Sequence, residues 1–438
     1  MWNGPTAALR LLFEIVVLGA AVVLVFFQPF DGGRIGVYLG VAAGAWVLLV
    51  ASGSRLRRFK SVAGAVDLVA FNLCLLAVLA EGGLLLAARW SGSPLLALDV
   101  DEPARTVRSR KLSQPAGRLR FGFPVNSQSH YDEEFVPGRA GRPVPAMIGD
   151  SFSYGVVPHR YHFSTVCERR MGVAVDNFGY PAIGPLEYRH LLRTEVLPLA
   201  PDVVAVNLFV GNDVARSVPR PVRYRRLSRW LDRGNLLVYQ LPRRLRIMLD
   251  EQGAQPRSAP VGMLHGEGAQ RRLATVEELT AVYPWLEDPA REPPTVSRDR
   301  FLEIEEKRAA AICDPARADF AALFAVLRDM RRLAGKTPLV VHLIPDELQV
   351  NDALWKRLRL GLDGRELVRD LPQQVLVPWL EAEGIPYLDL LPVLREQCAP
   401  HSRGAGHCYH FRNTHFNARG NRVAGEAMAR FLAPMMRP

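Results

Sequence analysis

Val144-Pro145-Ala146-Met147-Ile148-Gly149-Asp150-Ser151-Phe152-Ser153-Tyr154-Gly155 is the stretch on which the reading of this 438-residue chain turns. Val144–Ile148 is a short apolar run closed by a glycine, the pattern of a buried strand. A serine directly after such a strand, at a strand-to-helix turn, presents its hydroxyl at the edge of a sheet. Its own backbone N–H then faces the place where an oxyanion would develop. The run is not the Gly-x-Ser-x-Gly elbow of α/β-hydrolases. Taken alone, Asp150-Ser151 reads equally well as a helix cap, so the surrounding chain has to decide.

Working outward, four more apolar runs read as strands: Val173–Phe178, Val203–Phe209, Leu339–Ile344 and Tyr387–Leu390. Helical patterns lie between them at Leu186–Leu197, Phe320–Leu333 and Val377–Glu383. Strands alternating with helices predict βαβ units and a parallel sheet covered on both faces. Chemistry in such sheets gathers at the carboxyl ends of the strands. Three further blocks fall there or before the last helix. Asn177-Phe178-Gly179-Tyr180-Pro181-Ala182-Ile183-Gly184-Pro185 suits a tight turn whose N–H groups point into a site, or a plain strand-to-helix turn. Phe209-Val210-Gly211-Asn212-Asp213 offers a side-chain amide for an oxyanion, or an Asx turn. Asn413-Thr414-His415-Phe416-Asn417 precedes the helical run Ala418–Leu432 and supplies a candidate general base for Ser151.

These four blocks, in this order, resemble the SGNH/GDSL hydrolase superfamily over roughly residues 144–213 and 310–432. The histidine block is most similar to the Asp-x-His form of alginate O-acetyltransferase-type members. The resemblance implies a three-layer, flavodoxin-like α/β fold with a parallel sheet and acyl transfer to water or to a sugar hydroxyl. It implies Ser151 as nucleophile and His415 as base, with Ser151, Asn212 and Gly184 forming the oxyanion hole. Two departures stand out. The family's acid precedes the histidine by two or three residues, where this chain has Asn413 and Arg412. Asn413 can orient an imidazole by a hydrogen bond but does not stabilise the imidazolium as a carboxylate does. The position aligned with the second-block glycine is Ala182, with Gly184 two residues on.

Cys398, His401, His407, Cys408 and His410 crowd together in sequence. Cysteine and histidine can hold zinc, but these spacings match no diagnostic pattern, and neither a metal nor a cofactor is expected. Cys398 and Cys408 are close enough to close a short disulfide loop, which needs an oxidising compartment; on spacing, free surface thiols fit as well.

Hydrophobic residues make up 49% of the chain, an average that conceals a split, because the first 90 residues are strongly apolar. Leu11–Phe30, Ile35–Ala51 and Val62–Ala88 each approach the roughly 20 residues that cross a bilayer. Two runs following the first argue against a simple signal peptide. Arg55, Arg57, Arg58 and Lys60 lie between runs two and three, and the positive-inside rule places that loop in the cytoplasm. Three spans of a cell inner membrane then put everything after Trp90 in the periplasm or outside. A two-span reading, favoured by Glu81 within run three, would reverse the side.

The expected organisation is therefore transmembrane helices over 1–90, a linker and irregular lead-in over 91–141, and an SGNH-like domain over 142–438. An insertion at about 214–310 interrupts the rhythm. Its first part is strongly basic, from Arg220 to Arg246 with Trp230 and Tyr239 interleaved; this is an amphipathic surface for anionic lipid or acidic polymer, or a solvated face. The remainder, rich in Pro and Glu, is expected to be partly disordered. A net charge of +11 suits an anionic neighbour. No nucleic-acid motif is present, which leaves membrane lipids and acyl-ester or acylated glycan substrates as expected partners. Three functions remain: an extracytoplasmic serine esterase, an O-acyltransferase modifying an envelope polysaccharide or lipid-linked glycan, and an inactive SGNH-fold glycan-binding protein.

Overall fold

The computed structural model describes residues 102–135, 143–217, 274–362, 366–399 and 406–436, with isolated positions between 68 and 87 and at 241, 242, 245 and 404. Thr106–Pro219 and Glu251–Pro438 form one compact unit, and Met1–Arg105 groups separately with Arg220–Asp250.

In the larger unit, five short strands form a parallel sheet: β3 (Pro145–Gly149), β4 (Asp176–Gly179), β5 (Val203–Phe209), β6 (Leu339–Ile344) and β7 (Tyr387–Asp389). Two short antiparallel ribbons flank it, β1 (Leu119–Arg120) with β2 (Phe123–Pro124) and β8 (Tyr409–His410) with β9 (Asn413–Phe416). The sheet order is β4-β3-β5-β6-β7 with every neighbour parallel. Counted along the chain this is 2-1-3-4-5, the flavodoxin-like order, whose switch point lies beside the first strand.

The pleat sends alternate residues to opposite faces. Ala146, Ile148, Val204, Val206, Val341 and Leu343 join one core with Leu191, Leu327 and Leu376. Met147, Val203, Ala205, Val340 and Ile344 join the other with Phe163, Leu394 and Met428. Each face is covered by helices, as the continuous apolar strands require. The expected three-layer α/β architecture is present, and all five strands lie within a few residues of their expected bounds.

Three expectations are corrected. The lead-in at 91–141 is not a loose linker where it is described. Helix Glu102–Ser113, the β1–β2 ribbon and the turn to Phe135 bury Val107, Tyr131 and Phe135 against the domain. Its polar side chains are tied in as well, since Asp132 accepts the Asn177 N–H at 2.7 Å. The remainder of the insertion is folded where it is described, from residue 274 onward. Thr275 caps helix Val276–Val282, and helix Arg298–Ile312 buries Phe301, Glu305, Ala309 and Ile312. The capping box and apolar spacing outweigh the Pro- and Glu-rich composition. The third correction, at Gly184, belongs to the site below.

The basic half of the insertion, from Arg220 to Arg246, lies almost wholly outside the described residues. So do apolar runs one and two. In run three, described positions such as Leu68, Leu76 and Leu79 are helical with exposed side chains. Among the described residues no helix is long and apolar enough to cross a membrane.

Candidate active site

β3 ends at Gly149 and the chain turns directly into the short helix Ser151–Tyr154. Asp150 caps it by accepting the Phe152 N–H at 2.9 Å. Its end is held by Arg120, which donates to the carbonyls of Tyr154, at 2.7 Å, and Gly155 while lying over the Tyr154 ring. β4 runs beside β3, and a Cβ on Gly179 would strike the Ser153–Tyr154 backbone. Glycine at this position is therefore what lets the nucleophile helix sit against the sheet.

The β8–β9 ribbon brings His415 to Ser151. His415 Nε2 stands 2.8 Å from Ser151 Oγ, across 264 residues of sequence. His415 Nδ1 stands 2.6 Å from Asn413 Oδ1. The Asn413 amide nitrogen donates to Thr295 Oγ1 at 3.3 Å, which turns its oxygen toward the imidazole. That fixes the neutral tautomer: Nδ1–H donates to Asn413, and the Nε2 lone pair accepts the Ser151 hydroxyl proton. Burial, and after it the Arg308 charge, push His415 down to about 3. The imidazole is therefore neutral and basic-ready far below the ordinary histidine range.

Asn212 follows β5, as expected from sequence. Its amide donates to Asp150 Oδ2 at 3.2 Å, so Asp150 holds both the nucleophile helix and the Asn212 side chain. The second N–H of this amide remains for a substrate oxygen. A Cβ on Gly211 would overlap the Asp346 carboxyl and the Phe209 ring, which forces glycine there. Gly184 does not take the expected oxyanion role. Its N–H donates to the Glu187 carboxylate at 3.0 Å, at the start of helix Pro185–Leu191. Ala182 instead adopts a left-handed φ of 57°, the conformation that Gly readily supplies in such turns.

The largest addition to the expected site comes from the stretch that follows the basic insertion. Glu292 pairs with His410 and accepts the Phe411 N–H at 2.9 Å. Thr295 reaches Asn413 and bonds the Phe411 carbonyl through its N–H. Arg308 contacts Thr414, between Asn413 and His415, and donates to Glu305 at 2.7 Å. Its guanidinium also lies 3.7 Å from Asp346. Burial and the neighbouring Asp346 push Glu305 well above the usual carboxylate range. None of Glu292, Thr295, Glu305 or Arg308 was indicated by a motif; for the last two, the Ser297 cap ahead of helix Arg298–Ile312 was a local signal.

Cys398 and Cys408 form a disulfide just before β8. Their thiols are thereby unavailable to a metal, and His410 is occupied by Glu292. Among the described residues no cluster of His, Cys, Asp and Glu could hold a metal ion.

No protein-family model and no curated protein matches the chain. Solved structures do. The chain is similar to a lipase/acylhydrolase from Enterococcus faecalis, at 14% identity over 68% of this chain and 98% of that one, with a TM-score of 0.32. It is similar to a member of the lipolytic protein G-D-S-L family from Veillonella parvula, at 12% identity over 66% and 96%, TM-score 0.30. It is similar to an acetyl xylan esterase from the rumen bacterium Butyrivibrio proteoclasticus, at 11% identity over 67% and 63%, TM-score 0.26. In its ordered blocks and strand order the chain resembles the SGNH/GDSL hydrolases. The chemistry of its site rests on the geometry of Ser151, His415 and Asn413.

Proposed function

We propose that this protein is a serine enzyme that cleaves acyl esters through an acyl-Ser151 intermediate. The observation that carries the proposal is the 2.8 Å contact between His415 Nε2 and Ser151 Oγ, with Asn413 2.6 Å behind the imidazole. Ser151 Oγ attacks the acyl carbon as its proton passes to His415 Nε2. The carbonyl electrons move onto oxygen, where the Ser151 N–H and the Asn212 amide stabilise them. As the tetrahedral species collapses, the C–O bond to the leaving alkoxide breaks, and that alkoxide takes the proton from His415. Water repeats the sequence on the acyl-serine, giving its proton to His415; the acid departs and Ser151 regains its hydrogen. A sugar hydroxyl in place of water makes the same residues an O-acyltransferase.

An extracytoplasmic location is part of this proposal. The Cys398–Cys408 disulfide supports it, since such bonds persist in oxidising compartments. The three apolar runs and the Arg55–Lys60 charge cluster support an inner-membrane anchor with lipid contacts. An acylated glycan is the proposed substrate class.

The test is covalent labelling with a fluorophosphonate. The wild type should be labelled at Ser151 and the Ser151→Ala protein should not. Persistent labelling of that variant would remove Ser151 from the mechanism. Products from an acyl donor, with and without a glycan acceptor, separate hydrolysis from transfer. A purified protein that binds glycan but turns over no acyl ester would favour the non-catalytic reading.

A further inference from the structure

A groove of about 590 Å³ opens beside the catalytic ribbon. Its lining begins at Asn417 and Ala418, the residues directly after β9. The last turn of helix Phe163–Met171 contributes Arg169 and Arg170, and the first turns of helix Ala418–Leu432 contribute Arg419 and Arg422. Trp285 and Tyr161 supply its aromatic surface.

The charges within it do not balance. Four guanidiniums line the groove with two carboxylates, Glu287 and Glu426. Glu426 is shared, 2.6 Å from Arg170 and 3.9 Å from Arg422. Arg419 donates one N–H to the Gln397 carbonyl at 2.7 Å, while its buried Nε has no partner. Burial and then the neighbouring Arg160 charge lower the pKa of Arg169.

The aromatic surface continues toward the nucleophile. Trp285 packs on Tyr283 with ring centres 5.7 Å apart, and Tyr283 packs on Phe121 at 5.2 Å. Arg120 bridges Phe121 to Tyr154, the last residue of the helix that Ser151 begins. These four rings are all half-buried, leaving part of each to the solvent. The C–H faces of a sugar ring, slightly positive, match the negative faces of such rings.

We propose that this groove binds an anionic polysaccharide, with carboxylates of its sugars on Arg169, Arg419 and Arg422 and a sugar ring on Trp285. The aromatic file then leads the chain toward Ser151. Guanidinium forks suit carboxylates bidentately. A concave groove with a tryptophan in its lining fits a single polymer strand, whereas a flat anionic membrane meets only rim charges. Delivery to Ser151 rests on the acyl-serine proposal; binding in the groove does not.

The experiment titrates the full-length protein, held in neutral-lipid nanodiscs, with polygalacturonate, with uncharged dextran and with phosphatidylglycerol vesicles. Polygalacturonate should bind, more weakly as salt rises, and dextran should not. Arg169→Glu/Arg422→Glu should weaken polygalacturonate binding by more than about tenfold, the loss of two charge-assisted contacts. Arg169→Lys/Arg422→Lys should lose less, and Trp285→Ala should weaken binding at every salt concentration. Turnover of a small neutral ester should be unchanged in both arginine double variants. If the charge reversal unfolds the protein, Arg422→Gln, at an exposed side chain, reports the same contact with a severalfold loss. Unchanged polygalacturonate affinity in a folded arginine variant overturns the proposal. So does equal binding of dextran, or arginine dependence seen only with vesicles. A wild type that binds polygalacturonate but hydrolyses no ester would retain the groove and sink the acyl-serine mechanism.

Discussion

Ser151 and His415 are held by different means. Ser151 is fixed by its own neighbourhood: the end of β3, the Asp150 cap two residues away from the N–H it accepts, and the Gly179 turn on the adjacent strand. His415 sits on a short ribbon fixed from outside, by the arm from Glu292 to Arg308. The arm's contacts to that ribbon, at His410, Asn413 and Thr414, span 118, 118 and 106 residues of sequence. A nucleophile set by a sheet edge tolerates change far away. On the proposed mechanism, changes in that arm reach the proton-transfer step through Asn413 and Thr414.

That contrast can be broken most severely at the pair itself. His415→Ala, assayed on a small ester, should lower kcat by about 10³-fold or more, the scale seen when a triad base is removed. A modest loss would mean that another group accepts the Ser151 proton.

Next in size is the arm. Arg308→Ala removes the cation beside the Glu305–Asp346 pair and should destabilise the fold by about 3 kcal/mol, as loss of one partner from a buried charge cluster does. It should also move the acid limb of kcat/KM to higher pH, because Arg308 is one of the charges that holds His415 down. Denaturant titration and a pH–rate profile read the two effects separately. A stable variant with an unmoved profile would make the arm a bystander.

The Asn413→Asp variant sharpens the comparison from the other side. A carboxylate behind the imidazole raises the His415 pKa and stabilises the imidazolium formed in the transition state. The expected result is a gain in kcat of about tenfold at neutral pH, together with an acid limb closer to neutrality. The wild type, with His415 near 3, should show a flat kcat/KM from about pH 5 to pH 8. An inflection between pH 6 and 7 in the wild type would contradict the buried, neutral base.

The smallest expected effect is at Thr295→Val, which deletes the hydroxyl that turns the Asn413 amide. One neutral hydrogen bond is worth about 0.5–1.5 kcal/mol, so kcat should fall by about two- to tenfold with KM unchanged. A change confined to KM would place Thr295 in substrate binding.

How much of this was legible follows the same division. The strands were readable because buried parallel strands are continuous apolar runs, and Val203–Phe209 and Leu339–Ile344 appear with the expected bounds. Ser151, Asn212, Asn413 and His415 stand out in sequence because each lies just past a strand or before the last helix, and the structure brings Ser151, His415 and Asn413 together. Gly184 was misassigned because a glycine before a proline signals a turn without telling where its N–H points; here Glu187 takes it. The arm was misread because Pro and Glu are frequent in unstructured chain. Glu292 and Glu305 are instead buried, and their value depends on partners more than a hundred residues away. Composition carries no information on such pairings.

The chain order of the pair bears on how the protein is made. Ser151 is synthesised 264 residues before His415, and the arm that orients His415 comes between them. A nascent chain therefore carries a serine that is chemically ordinary until the last ribbon and helix dock. On the proposed mechanism, reactivity arrives with the completed fold, and partly made copies have no activated hydroxyl to take up an acyl group.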